Sequence, residues 1–211
     1  MPQWRPMPEW AGSSAFIIGG GPSLKTFDWN LLESEMTIGC NDAFKLGVDI
    51  CKICIFGDVK WFRIHKQDLE IYHNNKGVVF TNSTQLQRSR IPWLWLMPRK
   101  FYGLHTEALG WNSNTGAVAV NLALILGASP IYLLGFDMHE SKEGKPNWHE
   151  HRIEKHNGEV YNKFLKGFDR VAIDLKKKFP SQEVINVTKD SALDVFPKMD
   201  SDKFWERRMA C

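Results

Sequence analysis

The sequence predicts an α/β fold on a doubly wound, mostly parallel sheet, and three observations carry that prediction. Six short apolar, β-branched runs each end in glycine or a small polar residue. The runs are continuous rather than alternating, as expected when both faces of a parallel sheet are covered. Segments with helical periodicity or helix-start signals fall between them, and strand–helix alternation in that order builds open α/β sheets.

In chain order, Phe16–Ile18 runs into Gly19–Gly21, and Pro22 and Ser23 then open a stretch that reads as helix. Met36–Ile38 runs into Cys40, Asn41 and Asp42, and Lys52–Phe56 into Gly57 and Asp58. A helix follows Asp58, with Trp61, Phe62 and Leu69 on its apolar side. Val78–Phe80 leads into Thr81, Asn82 and Ser83. Asn114 or Thr115 can cap a helix whose core face is Val118, Leu122, Ile125 and Leu126, and Gly127 closes it. Ile131–Leu134 then runs into Gly135, Phe136 and Asp137. Val160, Phe164, Phe168, Val171, Leu175 and Phe179 recur every three or four residues until Pro180 ends that helix. Val184–Val187 is the last strand. The arrangement is Rossmann-like, a single domain over 1–211. Segments 85–112 and 139–158 do not read as sheet and are the expected insertion and lid.

The bulk numbers fit one globular core. The chain has 211 residues, 43% hydrophobic and 24% charged, with a net charge of +3. That charge is too mild to imply nucleic acid by itself, and it does not exclude it. The longest apolar stretch, Ala117 to Phe136, is interrupted by Asn121, Gly127, Ser129 and Pro130, so it reads as a helix and a strand rather than a membrane span. "MPQWRPMPEW" lacks the charged start and apolar centre of a signal peptide, and a cytoplasmic protein is expected. Trp4, Trp10, Trp93, Trp95 and Trp205 fit either a partner surface or the edges of the core, and the second reading is preferred. Cys51-x-x-Cys54 has strand character, which sends the two thiols to opposite faces. No second Cys/His pair accompanies it, so buried, reduced thiols are expected and no metal.

Ligands of open parallel sheets bind outside the carboxyl ends of the strands. Those ends carry Gly20, Gly21, Ser23, Asn41, Asp42, Asp58, Asn82, Ser83 and Asp137. Three consecutive glycines would let backbone N–H groups approach phosphate oxygens, with a helix N-terminus behind them. A tight turn without ligand would use the same glycines. The corner is neither a P-loop nor a G-x-G-x-x-G fingerprint. Asn41 and Asp42 could bind a ribose or base, and Asp137 a metal, a sugar hydroxyl or a helix start. Four of the chain's seven histidines, His139, His149, His151 and His156, crowd into the lid segment and point to acid–base chemistry.

"IIGGGPSL", "GCNDAF", "CKICIFGDVKWF", "SNTGAVAVNLALILGASPIYLLGFDM" and "VINVTKDSALDVF", in that order, resemble two related families. One is the bacterial bifunctional lipooligosaccharide sialyltransferases, the other the archaeal-type hydroxymethylpterin pyrophosphokinases, and small phage-encoded members of the group are most similar. The resemblance runs from about Phe16 to Phe196 and implies a GT-A-like, Rossmann-like domain. It implies a glycosyltransferase in which Gly20, Gly21, Ser23 and Asn41 hold the nucleotide of an activated sugar donor. Asn114, Thr115 and Gly116 would lie over its phosphate and sugar, and His149, His151 or His156 would be the general base. The donor is a substrate, and no further cofactor is required. The acceptor would be a glycan, a small molecule or nucleic acid, and the related sialyltransferases form homotetramers, which implies an oligomer. Two other readings stand beside it: magnesium-dependent pyrophosphoryl transfer using Asp42, Asp58 and Asp137, and a non-catalytic nucleotide-binding module. The sialyltransferases carry asparagine where this chain has Gly20 and Gly57, and arginine where it has Asn112.

Overall fold

A computed structural model describes residues 9–149 and 159–209. Seven strands form one sheet in which every pairing is parallel: β1 (Ala15–Ile18), β2 (Met36–Cys40), β3 (Ile53–Phe56), β4 (Val78–Thr81), β5 (Leu94–Leu96), β8 (Ile131–Leu134) and β9 (Val184–Asn186). Two short parallel strands, β6 (Arg99–Lys100) and β7 (Leu109–Gly110), pair apart from it. The sheet order is β5-β4-β3-β2-β1-β8-β9. The chain works outward from β1 to one edge and then returns to the other side of β1. The switch point, where a crevice opens in such sheets, therefore lies between β1 and β8.

Each predicted strand is present within two residues of its expected ends. Alternation along the strands explains the continuous apolar runs. Ala15, Ile17, Ile38, Ile53, Ile55 and Phe80 face α2 (Thr115–Ile125) and α3 (Glu159–Lys178). Cys54, Phe56 and Val79 face α1 (Val59–Asn74), and Phe16 and Ile18 meet α4 (Ser201–Met209) through Phe204 and Trp205. With both faces covered, no strand needs a polar side.

Several expectations are corrected. The stretch after Ser23 is not an α-helix but a five-residue 3-10 turn, Pro22–Thr26, with Pro22 at its start. The expected one-sided core face of α2 is too narrow, because every residue from Gly116 to Leu124 is buried. This helix is wrapped by the sheet, α3 and β7, and a helix apolar all round belongs inside. Segment 85–112 is not sheet-free, since β5 extends the main sheet by one strand. Cys51 precedes β3 rather than lying in it, so strand alternation does not separate it from Cys54. Both thiols are buried in the same cluster, where burial pushes Cys51 up to about 11. Trp10, Trp93 and Trp205 are buried at core edges, whereas Trp4 lies outside the described residues. Among the described residues no helix is long and apolar enough to cross a membrane.

Candidate active site

A cleft of about 420 Å³ opens at the strand ends, on the β1–β8 switch point. Its walls include Gly20, Gly21, Asn41, Asp42, Asp58, Asn114, Thr115, Gly116, His139 and His149, so ten of the candidate residues singled out in the sequence converge there. Ser23 and Asp137 stand just behind the wall. His151 and His156 lie outside the described residues.

The glycine corner is built differently from a phosphate cradle. Gly19 donates its N–H to Leu134 and Gly21 donates to Gly135. Ser23 donates both its N–H (3.0 Å) and its hydroxyl (2.9 Å) to the Asp137 carboxylate. A Cβ on Gly21 would lie 1.8 Å from Asp137 Oδ2, and one on Gly19 would lie 2.6 Å from the Gly135 carbonyl. These two glycines let the end of β1 press against the end of β8. All three glycines line the cleft, but Gly20 alone of them does not press on the β8 end: its ideal Cβ position is 3.2 Å from Asn147 Oδ1 and 3.9 Å from His149 Nε2. Burial lifts Asp137 above the ordinary carboxylate value, and the two Ser23 bonds offset that only in part.

The corner's carbonyls anchor the start of the histidine-rich segment. Trp148 donates its backbone N–H to Gly20 (3.0 Å) and its indole N–H to Gly19 (3.0 Å), and its ring packs on Trp29. That grip seats His149, the next residue, over Gly20 and near Asp42. Burial alone would lift the Asp42 carboxyl. Hydrogen bonds from Lys45 and Trp61, followed by the charges of His149 and Lys45, outweigh it and hold the group below its ordinary value. His139 also lines the cleft, but its two ring nitrogens lie 2.8 Å and 2.9 Å from the carbonyls of Glu140 and Asp190. The Glu140 bond leads in raising its pKa, because two acceptors favour the doubly protonated ring. With both ring nitrogens turned to backbone carbonyls, neither is open to an acceptor hydroxyl in the cleft.

The opposite wall is the start of α2. Asn114 caps it, accepting the Gly116 N–H at 2.7 Å, while among the described residues its buried amide nitrogen has no partner. Asn112 (φ +48°), Ser113 (φ +57°), Asn41 (φ +51°) and Met138 (φ +58°) all sit in the left-handed region, and such strain gathers at functional sites. Trp111 sits edge-on over Gly57, where a Cβ would lie 2.1 Å from its ring. The Arg99 guanidinium stacks 4.4 Å from the Trp111 ring.

The carboxylates proposed for magnesium fit it poorly. Asp58 accepts the N–H groups of Lys60 (2.6 Å) and Trp61 (3.1 Å) as the cap of α1. Asp42 pairs with Lys45 at 2.6 Å and accepts from the Trp61 indole at 3.1 Å. Asp137 is taken by Ser23. Among the described residues no three His, Cys, Asp or Glu side chains gather as a metal site.

Sequence reasoning did not find the aromatic walls Trp61, Trp111, Phe136, Tyr161 and Phe164, nor Asn147 and Lys163. Tyr161, Lys163 and Phe164 come from the first two turns of α3, more than a hundred residues from the glycine corner in the chain. The one local signal was Gly57, whose missing side chain makes room for Trp111.

No protein-family model matches the chain, and no curated protein matches it in sequence. Solved structures do match in fold. The CstII sialyltransferase from Campylobacter jejuni in complex with a substrate analogue, cytidine-5′-monophosphate, superposes with a TM-score of 0.57 at 14% identity, over 90% of this chain and 85% of that one. A substitution variant of the sialyltransferase in complex with CMP gives 0.53 at 14% identity, over 88% and 86%. The complex with CMP-3FNeuAc gives 0.52 at 14% identity, over 89% and 85%. The chain thus has the mostly parallel, Rossmann-like α/β fold on which those enzymes are built.

Proposed function

We propose that the protein is a glycosyltransferase that takes a nucleotide-activated sugar in the switch-point cleft. The observation that carries the reading is the convergence of Gly20, Asn41, Asp42, Asn114, Thr115, Gly116 and His149 on one cleft of ligand size. Neighbours of the same fold are bound to CMP or a CMP-sugar analogue, which supports a nucleotide donor. The phosphate goes to the start of α2, where an α-helix of 11 residues offers unsatisfied N–H groups and the positive end of its dipole. The base lies against the aromatic walls Trp61 and Trp111.

His149 is the general base. It takes the proton of an acceptor hydroxyl as that oxygen bonds to the anomeric carbon. The bond from that carbon to the phosphate oxygen breaks, and the nucleotide leaves with the electron pair, stabilised by the α2 N-terminus. Segment 139–158 acts as a lid that Trp148 hinges on the glycine corner, and the whole chain is one domain. Asp42 keeps the imidazole oriented and stabilises its charged form. The protein works without a metal.

The test is thermal stabilisation by CMP, UDP, GDP, ADP, ATP and their sugar conjugates, each with and without magnesium. A ligand at about a hundred times its Kd adds about 2.7 kcal/mol. Stabilisation by a pyrimidine nucleotide without magnesium is expected. Glycosyl transfer by that donor is then compared in His149→Ala, His151→Ala and His156→Ala. Losing about a hundredfold or more in kcat only in the first is the expected result. A response confined to ATP with magnesium would overturn the reading.

A further inference from the structure

Away from the cleft, the chain holds two large aromatic side chains out in solvent. Phe101 is 76% and Tyr102 is 54% exposed, with ring centroids 6.3 Å apart. Their backbone is pinned from beneath. Asn112 donates its N–H to Phe101 (3.0 Å), accepts the Gly103 N–H on its side chain (2.7 Å) and donates its side-chain amide to the Gly103 carbonyl (3.1 Å). Asp174 of α3 accepts the Leu104 N–H at 2.7 Å, and Lys178 donates to the Leu104 carbonyl. These polar contacts hold a loop that sends Leu104 into the core and leaves the two neighbouring rings exposed.

Beside the rings runs a basic stripe. Lys163, Lys166, Arg170 and Lys177 recur at spacings that keep them on one face of α3, with the exposed Ile173 (65%) between them. The stripe covers about 21 Å of helix axis. The Arg170 guanidinium lies 3.8 Å from the Tyr102 ring centroid, which joins the stripe to the aromatic pair. Lys163 lines the cleft, so the stripe ends at its mouth. Asp174 is occupied by Lys178 and Leu104, and Asp169 lies beside the stripe rather than on it.

We propose that this surface binds single-stranded nucleic acid, with bases on Phe101 and Tyr102 and phosphates along α3. Cations alone would fit any polyanion, and rings alone any apolar partner. Preorganised rings flanked by regularly spaced cations fit a chain that alternates flat bases with phosphates. The inference goes beyond the transfer reading and does not depend on it.

The test is fluorescence anisotropy of a fluorescein-labelled oligothymidylate of about 16 nucleotides, between about 50 and about 200 mM salt. Binding that weakens with salt is expected. Phe101→Ala with Tyr102→Ala should weaken it about tenfold or more. Lys166→Gln with Arg170→Gln should flatten the salt slope by about 1.4. All four side chains are exposed, and unchanged melting of the variants shows that they fold. No anisotropy change, or binding that the aromatic double variant leaves intact, overturns the proposal. So does a wild-type dimer in sedimentation that the same double variant dissolves without any oligonucleotide binding. If oligothymidylate binds and no nucleotide stabilises the cleft, the surface stands and the transfer reading falls.

Discussion

At the glycine corner, Gly19, Gly21 and Ser23 all hand their N–H groups to acceptors within the protein. Across the cleft, the start of α2 presents helix N–H groups behind a single cap, Asn114, whose amide nitrogen is itself buried without a partner among the described residues. The first region has more glycine and less to offer an anion. The second has one glycine, a helix dipole and an open donor. Glycines at a strand end therefore report close approach, and what approaches here is the protein's own β8 end. Anion binding follows the unsatisfied N–H groups instead.

The widest test of that contrast substitutes within the corner. Gly21→Val forces a side chain into Asp137 and the Gly135 carbonyl, and should cost about 3 kcal/mol or more in denaturant unfolding. Gly20→Ala approaches the Asn147 side-chain oxygen at 3.2 Å, a tight contact that a small side-chain shift relieves, and should keep stability within about 1 kcal/mol while weakening nucleotide binding. Equal destabilisation by both would break the distinction.

Next in size, Asn114→Ala removes the α2 cap and should lower stability by about 1 kcal/mol. It should also lower the thermal shift given by a nucleotide, whereas Ser23→Ala should lower stability with the shift retained. A shift lost only in Ser23→Ala would return the phosphate to the glycine corner.

The smallest effects are in pH dependence, where the two buried strand-end carboxylates oppose each other. Asp42 titrates below its unfolded value. The stability it contributes is present above the unfolded value, near 3.8, and is lost as pH falls through the lower folded one. Asp137 titrates above its unfolded value, so the native state binds the extra proton first. Its contribution improves as pH falls through the raised folded value toward about 3.8. Subtracting the unfolding free energies of Asp42→Asn and of Asp137→Asn from wild type, from about pH 3 to pH 7, should give slopes of opposite sign. Matching slopes would mean that Ser23 holds a carboxylate as well as Lys45 and Trp61 do.

Much of this molecule was legible in one dimension. Both-sided burial imposes unbroken apolar runs, so β1 to β4, β8 and β9 announced themselves, and Asn114 and Asp58 were readable as residues at helix starts. The strand-end rule gathered five cleft residues, Gly20, Gly21, Asn41, Asp42 and Asp58, before any coordinates, because parallel strands put all their carboxyl ends on one edge. Neither β5 nor the short 3-10 form of the turn after Ser23 was visible, since an edge strand and a five-residue turn depend on what packs beside them.

Function depended more heavily on the third dimension. Sequence alone determined the sheet, the helix starts and the edge at which a ligand would bind, because hydrophobic periodicity and capping act over a few residues. Tertiary structure decided which donors remain open at that edge. Only folding brings Asp137 back to Ser23 across 114 positions, Trp111 onto Gly57, and Tyr161 and Lys163 to the mouth of the cleft. A hydrogen bond or a ring contact between distant segments leaves no periodic trace in either segment. The glycine corner could therefore be located from sequence, and whether its N–H groups were open to a phosphate could not.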